Sequence, residues 1–159
     1  MILVTVGSQK FQFNRLLKEI DKLIEEKVIK EEVFAQIGHS DYKPKHYKYV
    51  DFLSSEEFTK KIKESNLIIT HAGTGVIINA LKLNKKVIAI PRLSKYKEHV
   101  DNHQIQIINQ FSSQNFIESV EDIKLLADTI EKIKNKKFKK YISSNEKIIE
   151  TIIEFIEKE

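Results

Sequence analysis

The sequence predicts an α/β fold: a single Rossmann-like domain with a parallel sheet and helices on both of its faces. Three observations carry this. Short apolar runs suited to strands alternate with stretches of helical period from one end to the other, the pattern that right-handed crossovers turn into a parallel sheet. The chain has only four glycines, and Gly7, Gly38, Gly73 and Gly75 each stand just past the carboxyl end of a predicted strand, the edge where open parallel sheets bind ligands. Its 159 residues fit one domain of common size and leave little room for two.

The elements follow in order. Ile2 to Val6 is a short apolar strand, and Phe11 to Glu26 places Phe13, Leu16, Leu17, Ile20, Leu23 and Ile24 at helical spacing. Val33 to Ile37 is a second strand and Tyr47 to Phe52 a third, after a polar loop containing Pro44. Ser54 or Ser55, followed by Glu56 and Glu57, opens a helix that runs through Glu64. Leu67 to His71 is the next strand and feeds a helix from Thr74 to Leu83. Lys86 to Ile90 is a strand that stops at Pro91, which lacks an N–H for the ladder. A basic loop, Arg92 to Lys97, leads into a helix from about His99 to Phe111. Asn115 to Ile117 is the candidate last strand, Val120 to Ile133 a helix, and 143 to 157 a terminal helix.

Composition narrows the function. With 41% hydrophobic and 31% charged residues the chain is globular, and no apolar run nears the ~20 residues that span a bilayer. No signal-peptide pattern precedes the first strand, so a cytoplasmic protein is expected. The absence of cysteine removes disulfides and thiolate metal sites. A net charge of +4 with lysine and glutamate interspersed describes solvated helix faces, and no nucleic-acid partner is expected.

Two constellations bear chemistry. In the first, the strand ending at His71 enters the turn Gly73-Thr74-Gly75 and a helix, an arrangement that presents free N–H groups to an anion, with Thr74 as the expected N-cap. The same turn also serves simply to join strand to helix, and His71 reads equally as a core histidine. The second is Pro91-Arg92 followed by His99-Val100-Asp101-Asn102-His103-Gln104, dense in groups that bond sugar hydroxyls, with Arg92 able to neutralise a phosphate. A polar, well-capped helix start is the plain alternative. His99 and His103 share a helix face but lack a third ligand at metalloprotease spacing, and no Asp-x-Asp pair occurs to anchor a diphosphate-bound metal. Neither a Gly-x-Gly-x-x-Gly nor a P-loop motif is present, which removes nicotinamide chemistry and ordinary ATP hydrolysis.

These segments, with Val4-Thr5-Val6-Gly7-Ser8 at the start, give the chain a resemblance. It resembles the C-terminal, nucleotide-sugar-binding half of GT-B glycosyltransferases of family 28. In particular it is similar to the small subunits of two-component enzymes: the PssE-type polysaccharide transferases and the small catalytic subunit of the dolichol-linked UDP-GlcNAc transferase. The resemblance implies that residues 1–159 form one such donor-binding domain. It places Gly7 and Ser8 at the cleft, the uracil at the backbone of Phe52 and Leu53, and the diphosphate at His71, Gly73, Thr74 and Gly75. Arg92 joins this donor-binding set, and His103 and Gln104 face the sugar. Asn79 stands where relatives usually carry an acidic residue for the ribose, a departure from the pattern.

The resemblance implies an inverting, UDP-sugar-dependent hexosyltransferase acting on a lipid-diphosphate-linked saccharide in capsule or exopolysaccharide synthesis, with no cofactor and no metal. A complete GT-B enzyme has a second, acceptor-binding domain. A membrane-anchored partner is therefore expected to supply it, to bring the lipid-linked acceptor, and to recruit this chain to the inner face of the membrane. The catalytic base is expected from that partner, with His39 as a local substitute. Ile142, Ile149, Ile152, Ile153 and Ile156 fall near one face of the terminal helix and offer a docking surface. Two other readings remain: a non-catalytic nucleotide-sugar-binding or stabilising subunit, and a generic regulatory α/β domain.

Overall fold

The computed structural model describes residues 1–99 and 103–140; the expected terminal helix at 143–157, the segment 100–102 and the side chain of His103 lie outside the described residues. Within them, strands β1 (Ile2–Thr5), β2 (Val33–Gln36), β3 (Lys48–Val50), β4 (Leu67–Thr70), β5 (Lys86–Ala89) and β6 (Glu118–Ser119) form one sheet in the order β3-β2-β1-β4-β5-β6. Every pair is parallel. The helices are α1 (Asn14–Glu25), α2 (Ser55–Glu64), α3 (Thr74–Lys82), α4 (His103–Ser113) and α5 (Leu126–Ile133).

Alternation along the strands sorts the core into two layers. Ile2, Val4, Leu67, Ile69 and Ile88 meet Leu16, Leu17 and Ile20 of α1 and Leu126 and Ile130 of α5 on one face. Leu3, Ile68, Val87 and Ala89 meet Ile62, Ile77, Ala80, Ile107 and Phe111 of α2, α3 and α4 on the other. Each fully buried Leu or Ile contributes roughly 1.5–3 kcal/mol. That apolar covering on both faces is why the strands read as unbroken hydrophobic runs.

The chain winds outward from β1 through β2 to β3, then crosses back to the other side of β1 and continues through β4, β5 and β6. Thr5 lies level with Gln36 on one side and Thr70 on the other. Consecutive crossovers leave in opposite directions at β1 and β4, so the loops beyond their carboxyl ends diverge and leave a crevice.

Two expected elements shift. The apolar Phe116 and Ile117 are buried against the α4 layer, but they are not strand. Asn115 sits at φ 62° and the Phe116 N–H bonds Phe111 O at 3.2 Å, so these residues complete the exit of α4, and pairing with β5 begins only at Glu118 opposite Ile88. Helix also starts later than Val120: the Asp122 side chain accepts the Lys124 N–H and caps a short 3-10 turn, Ile123–Leu125, that leads into α5. His99 precedes the described part of α4, and its ring packs against Phe11 with centroids 5.2 Å apart. The Ser54 cap of α2 is present, its side chain accepting the Glu57 N–H.

Ile69 is fully buried in the central strand β4. Ile69→Ala is expected to lower the unfolding free energy by about 2–5 kcal/mol in urea titration, with an unchanged m-value.

Candidate functional site

A cleft of about 350 Å³ opens at the crevice between β1 and β4. Gly7 and Ser8 come from the loop after β1, Phe52 and Leu53 from the loop after β3, and Gly75 and Asn79 from the first turns of α3. The structure thus brings together six of the residues expected in the site. Thr5 and Gln36 contribute from the strand ends, and Ser55, Phe58 and Thr59 of α2 form a side. None of the residues lining the cleft is a carboxylate, a histidine or a lysine.

His71 lies beneath the cleft, 8% exposed, and fixes two loops at once. A Cβ built on Gly7 would come within 2.4 Å of its Nε2, and one on Gly73 within 2.6 Å of its Cε1. The imidazole therefore occupies the room that side chains at both positions would need. Gly7 also has φ +79°, a conformation that L side chains rarely adopt. Burial, then the nearby Arg92 and His99, lower the His71 pKa to about 3, so the ring is neutral at physiological pH. Neither ring nitrogen has a hydrogen-bond partner among the described residues.

The turn into α3 corrects one expectation. Gly73, not Thr74, is the N-cap, and no side chain caps the helix. Thr74 opens the helix itself, and the first bond at this end runs from the Ile77 N–H to Gly73 O at 3.1 Å. The earlier N–H groups lack intrahelical acceptors and carry the positive end of the helix dipole. At Gly75 an added Cβ would meet nothing within 4 Å.

Gln36, absent from the expected set, organises the cleft floor. Its Oε1 accepts from Thr5 Oγ1 at 2.7 Å and the Gly7 N–H at 3.1 Å, and its Nε2 donates to Gly7 O and Asp51 O, each at 2.9 Å. The one sequence signal for it is an amide at the end of an otherwise apolar run.

Of the second constellation, Arg92 and Gln104 are not among the residues that line the cleft. Arg92 is fully buried; its Nη2 donates to Val6 O and to Phe11 O, at the two ends of the β1–α1 loop, and its guanidinium carbon lies 5.4 Å from the Phe13 ring centroid. Burial lowers its pKa to about 10, opposed by Glu98, which leaves it charged at neutral pH. Glu98, also fully buried, takes both Nε and Nη2 of Arg15 at 3.0 Å and the Leu93 N–H at 3.0 Å. Gln104 Oε1 accepts the Arg92 N–H at 3.1 Å. His39 is exposed, its ring edge-on to Phe52 at 5.2 Å. Among the described residues no three His, Asp or Glu side chains are grouped to hold a metal ion.

A doubly wound parallel sheet binds its ligands in a crevice of this kind, outside the carboxyl ends of the strands. The chain matches the glycosyltransferase family 28 C-terminal domain over residues 1–158 and belongs to that family. The UDP-N-acetylglucosamine transferase subunit ALG13 of Candida albicans is 43% identical over 65 residues, 41% of this chain and 21% of that protein. Its namesake in Saccharomyces cerevisiae is 37% identical over 71 residues, 44% of this chain and 33% of that one. The matched segments span about a fifth to a third of these relatives' own length. Among solved structures, the solution structure of ALG13 shares the fold with a TM-score of 0.62 and 21% identity, covering 98% of this chain and 96% of that one. Acinetobacter baumannii MurG gives 0.57 at 14% identity, covering 83% of this chain and 41% of that one.

Because His71 titrates below its ordinary value of 6.5 when folded, its contribution to stability is complete above that pH and is lost as pH falls toward 3. His71→Gln is expected to remove this dependence. Its stability should fall less steeply than wild type across that window, by up to about 1.4 kcal/mol per pH unit, in denaturant titrations at a series of pH values.

Proposed function

We propose that this chain is the donor-binding subunit of an inverting, UDP-sugar-dependent glycosyltransferase. It moves a hexosyl group such as galactose or GlcNAc to a lipid-diphosphate-linked saccharide in capsule or exopolysaccharide synthesis. The observation that carries the reading is the cleft at the β1/β4 crossover, where the free N–H end of α3 faces a glycine loop across an opening lined by Phe52, Leu53 and Asn79. Family membership and two relatives named as UDP-N-acetylglucosamine transferase subunits support a UDP-sugar as the donor.

In this reading the uracil rests against Phe52 and the Leu53 backbone, and the ribose hydroxyls meet Asn79. The diphosphate sits at the first turn of α3, at Gly73, Thr74 and Gly75, with Gly7 and Ser8 opposite. Neutral His71 keeps the two glycine loops apart, and the buried charge of Arg92 lies behind the β1–α1 loop, where it favours an anion. His103, at the start of α4, orients the sugar, while Gln104, 8% exposed with its Oε1 on the Arg92 N–H, braces the chain behind it. As UDP departs, backbone N–H groups and this cation meet its charge, in place of a divalent metal.

An acceptor hydroxyl needs a base, and the cleft lining has no carboxylate or imidazole. A second polypeptide therefore completes the site. We assign that role to a membrane-anchored, acceptor-binding subunit that recruits this chain to the cytoplasmic face; no helix among the described residues is itself long and apolar enough to cross a membrane. The same lack of a base also favours a second reading, a non-catalytic nucleotide-sugar-binding or stabilising subunit of such a complex. Donor-saturated transfer assays with the partner separate the two, because variants of a binding-only subunit recover full rate at high donor concentration.

Gly75→Leu tests the cleft directly, since the open space at this position leaves room for a side chain without disturbing the core. UDP affinity measured by calorimetry is expected to fall at least tenfold, with a melting temperature equal to wild type within a few degrees. Undiminished UDP binding would place the nucleotide elsewhere.

A further inference from the structure

We propose that Gln36 is a positioning residue that sets the width of the cleft by tying the β1–α1 loop to the loop after β3. The inference rests on reading the cleft as a nucleotide site, and it concerns a residue that does not touch the nucleotide. A carboxamide has two donor hydrogens and an acceptor oxygen with two lone pairs. In Gln36 all four positions are used: Thr5 Oγ1 and the Gly7 N–H on Oε1, Gly7 O and Asp51 O on Nε2. The side chain borders the cleft yet is only 4% exposed, and it has no hydrogen-bonding capacity left for a ligand.

What it holds is specific. Gly7 is gripped by both its N–H and its C=O, a two-point contact that fixes a residue already confined to φ +79°. Asp51 immediately precedes Phe52 and Leu53 on the opposite rim, and its carbonyl also accepts the Gly38 N–H at 2.9 Å. Gly38 in turn stands so close that a Cβ there would lie 2.5 Å from Gly7 O. One amide therefore sets the spacing of both rims, at the level where β1, β2 and β3 end. Its neighbours along the strand, Ala35 and Ile37, are simply apolar and buried. An apolar residue at position 36 would fill the same space but leave the Gly7 N–H and C=O without these partners and the Asp51 carbonyl held by the Gly38 N–H alone.

Glutamate has the same shape but, when ionised, only accepts, so Gln36→Glu turns two attractive contacts into carboxylate facing carbonyl. Calorimetric titration with UDP is expected to show affinity at least tenfold weaker in Gln36→Glu. Amide exchange at Gly7, followed by NMR, should accelerate by a similar factor. Val33→Ala, at the far end of the same strand and 4% exposed, is the control for lost stability alone: it should melt lower yet bind UDP within twofold of wild type. Thr5→Val, which removes a single bond of the four, should weaken UDP about threefold, and it decides the matter if the glutamate variant does not fold.

A folded Gln36→Glu that binds UDP within twofold of wild type overturns the proposal. So does a Thr5→Val that binds as wild type, or a Val33→Ala that loses affinity in proportion to its melting temperature. Wild-type protein that fails to bind UDP counts against the nucleotide reading instead. The role of Gln36 is then judged on exchange at Gly7 and on the amide shifts of Phe52 and Leu53: joint change in Gln36→Glu supports it and no change overturns it.

Discussion

The placement of β1 between β2 and β4, parallel to both, is the constraint from which the rest follows. Parallel strands deliver all their carboxyl ends to one edge, and the reversal of winding at β1 parts the loops there. Such an opening would collapse onto itself if its walls were free. His71 prevents this from below, its ring filling the space between Gly7 and Gly73 that no side chain at either position shares. The two glycines are thus needed as much for the histidine as for a ligand, because each backbone approaches the ring closely.

Buried polarity continues behind the loop. Arg92 reaches from the end of β5 to the carbonyls of Val6 and Phe11, and Glu98 with Arg15 closes a second bridge between the same loop region and α1. An ion pair as enclosed as Arg15 with Glu98 carries a large desolvation cost, offset here by bidentate geometry and a further backbone N–H on the carboxylate. Among the described residues Arg92 has no such bidentate carboxylate, and two of its nitrogens, Nε and Nη1, have no acceptor. Two arginines and one glutamate in this network leave a net positive charge inside the domain. Low surrounding polarity extends its reach toward the edge where the strands end.

The architecture was legible because its signals are strong and local. Apolar runs covered on both faces, glycines just past strands, and serines before two glutamates each mark an element or its end. Phe116 and Ile117 failed that test: an apolar pair buried at a helix exit looks like a strand until Asn115 is seen to turn the chain. At the site, Gly7, Ser8, Phe52, Leu53, Gly75 and Asn79 were reachable through their place after strands and through resemblance, and they do line one cleft. Arg92 was legible as a cation but not as a buried one, since its partners, Val6 and Phe11, are carbonyls more than 80 positions away. Gln36 was invisible for the same reason. Its four bonds go to two segments remote in the chain, residues 5–7 and Asp51, and nothing within its own strand announces them.

The distribution of polar groups bears on how labour is divided. Arg15, Glu98 and Arg92 are turned inward and paired or bonded to backbone, while the open cleft presents hydroxyls, amides, glycine backbone and aromatic edges. That surface suits recognition of a flat base, a ribose and an anion, all of which need shape and hydrogen bonds. It does not suit proton transfer from an incoming alcohol, which needs a group whose pKa can be matched to the task. His71 is unsuited to that role, because burial holds it neutral with a pKa of about 3 and its ring is enclosed by Gly7 and Gly73. The proposed division of labour follows from this: the cleft offers groups that bind and orient, and none that would take a proton from an acceptor hydroxyl.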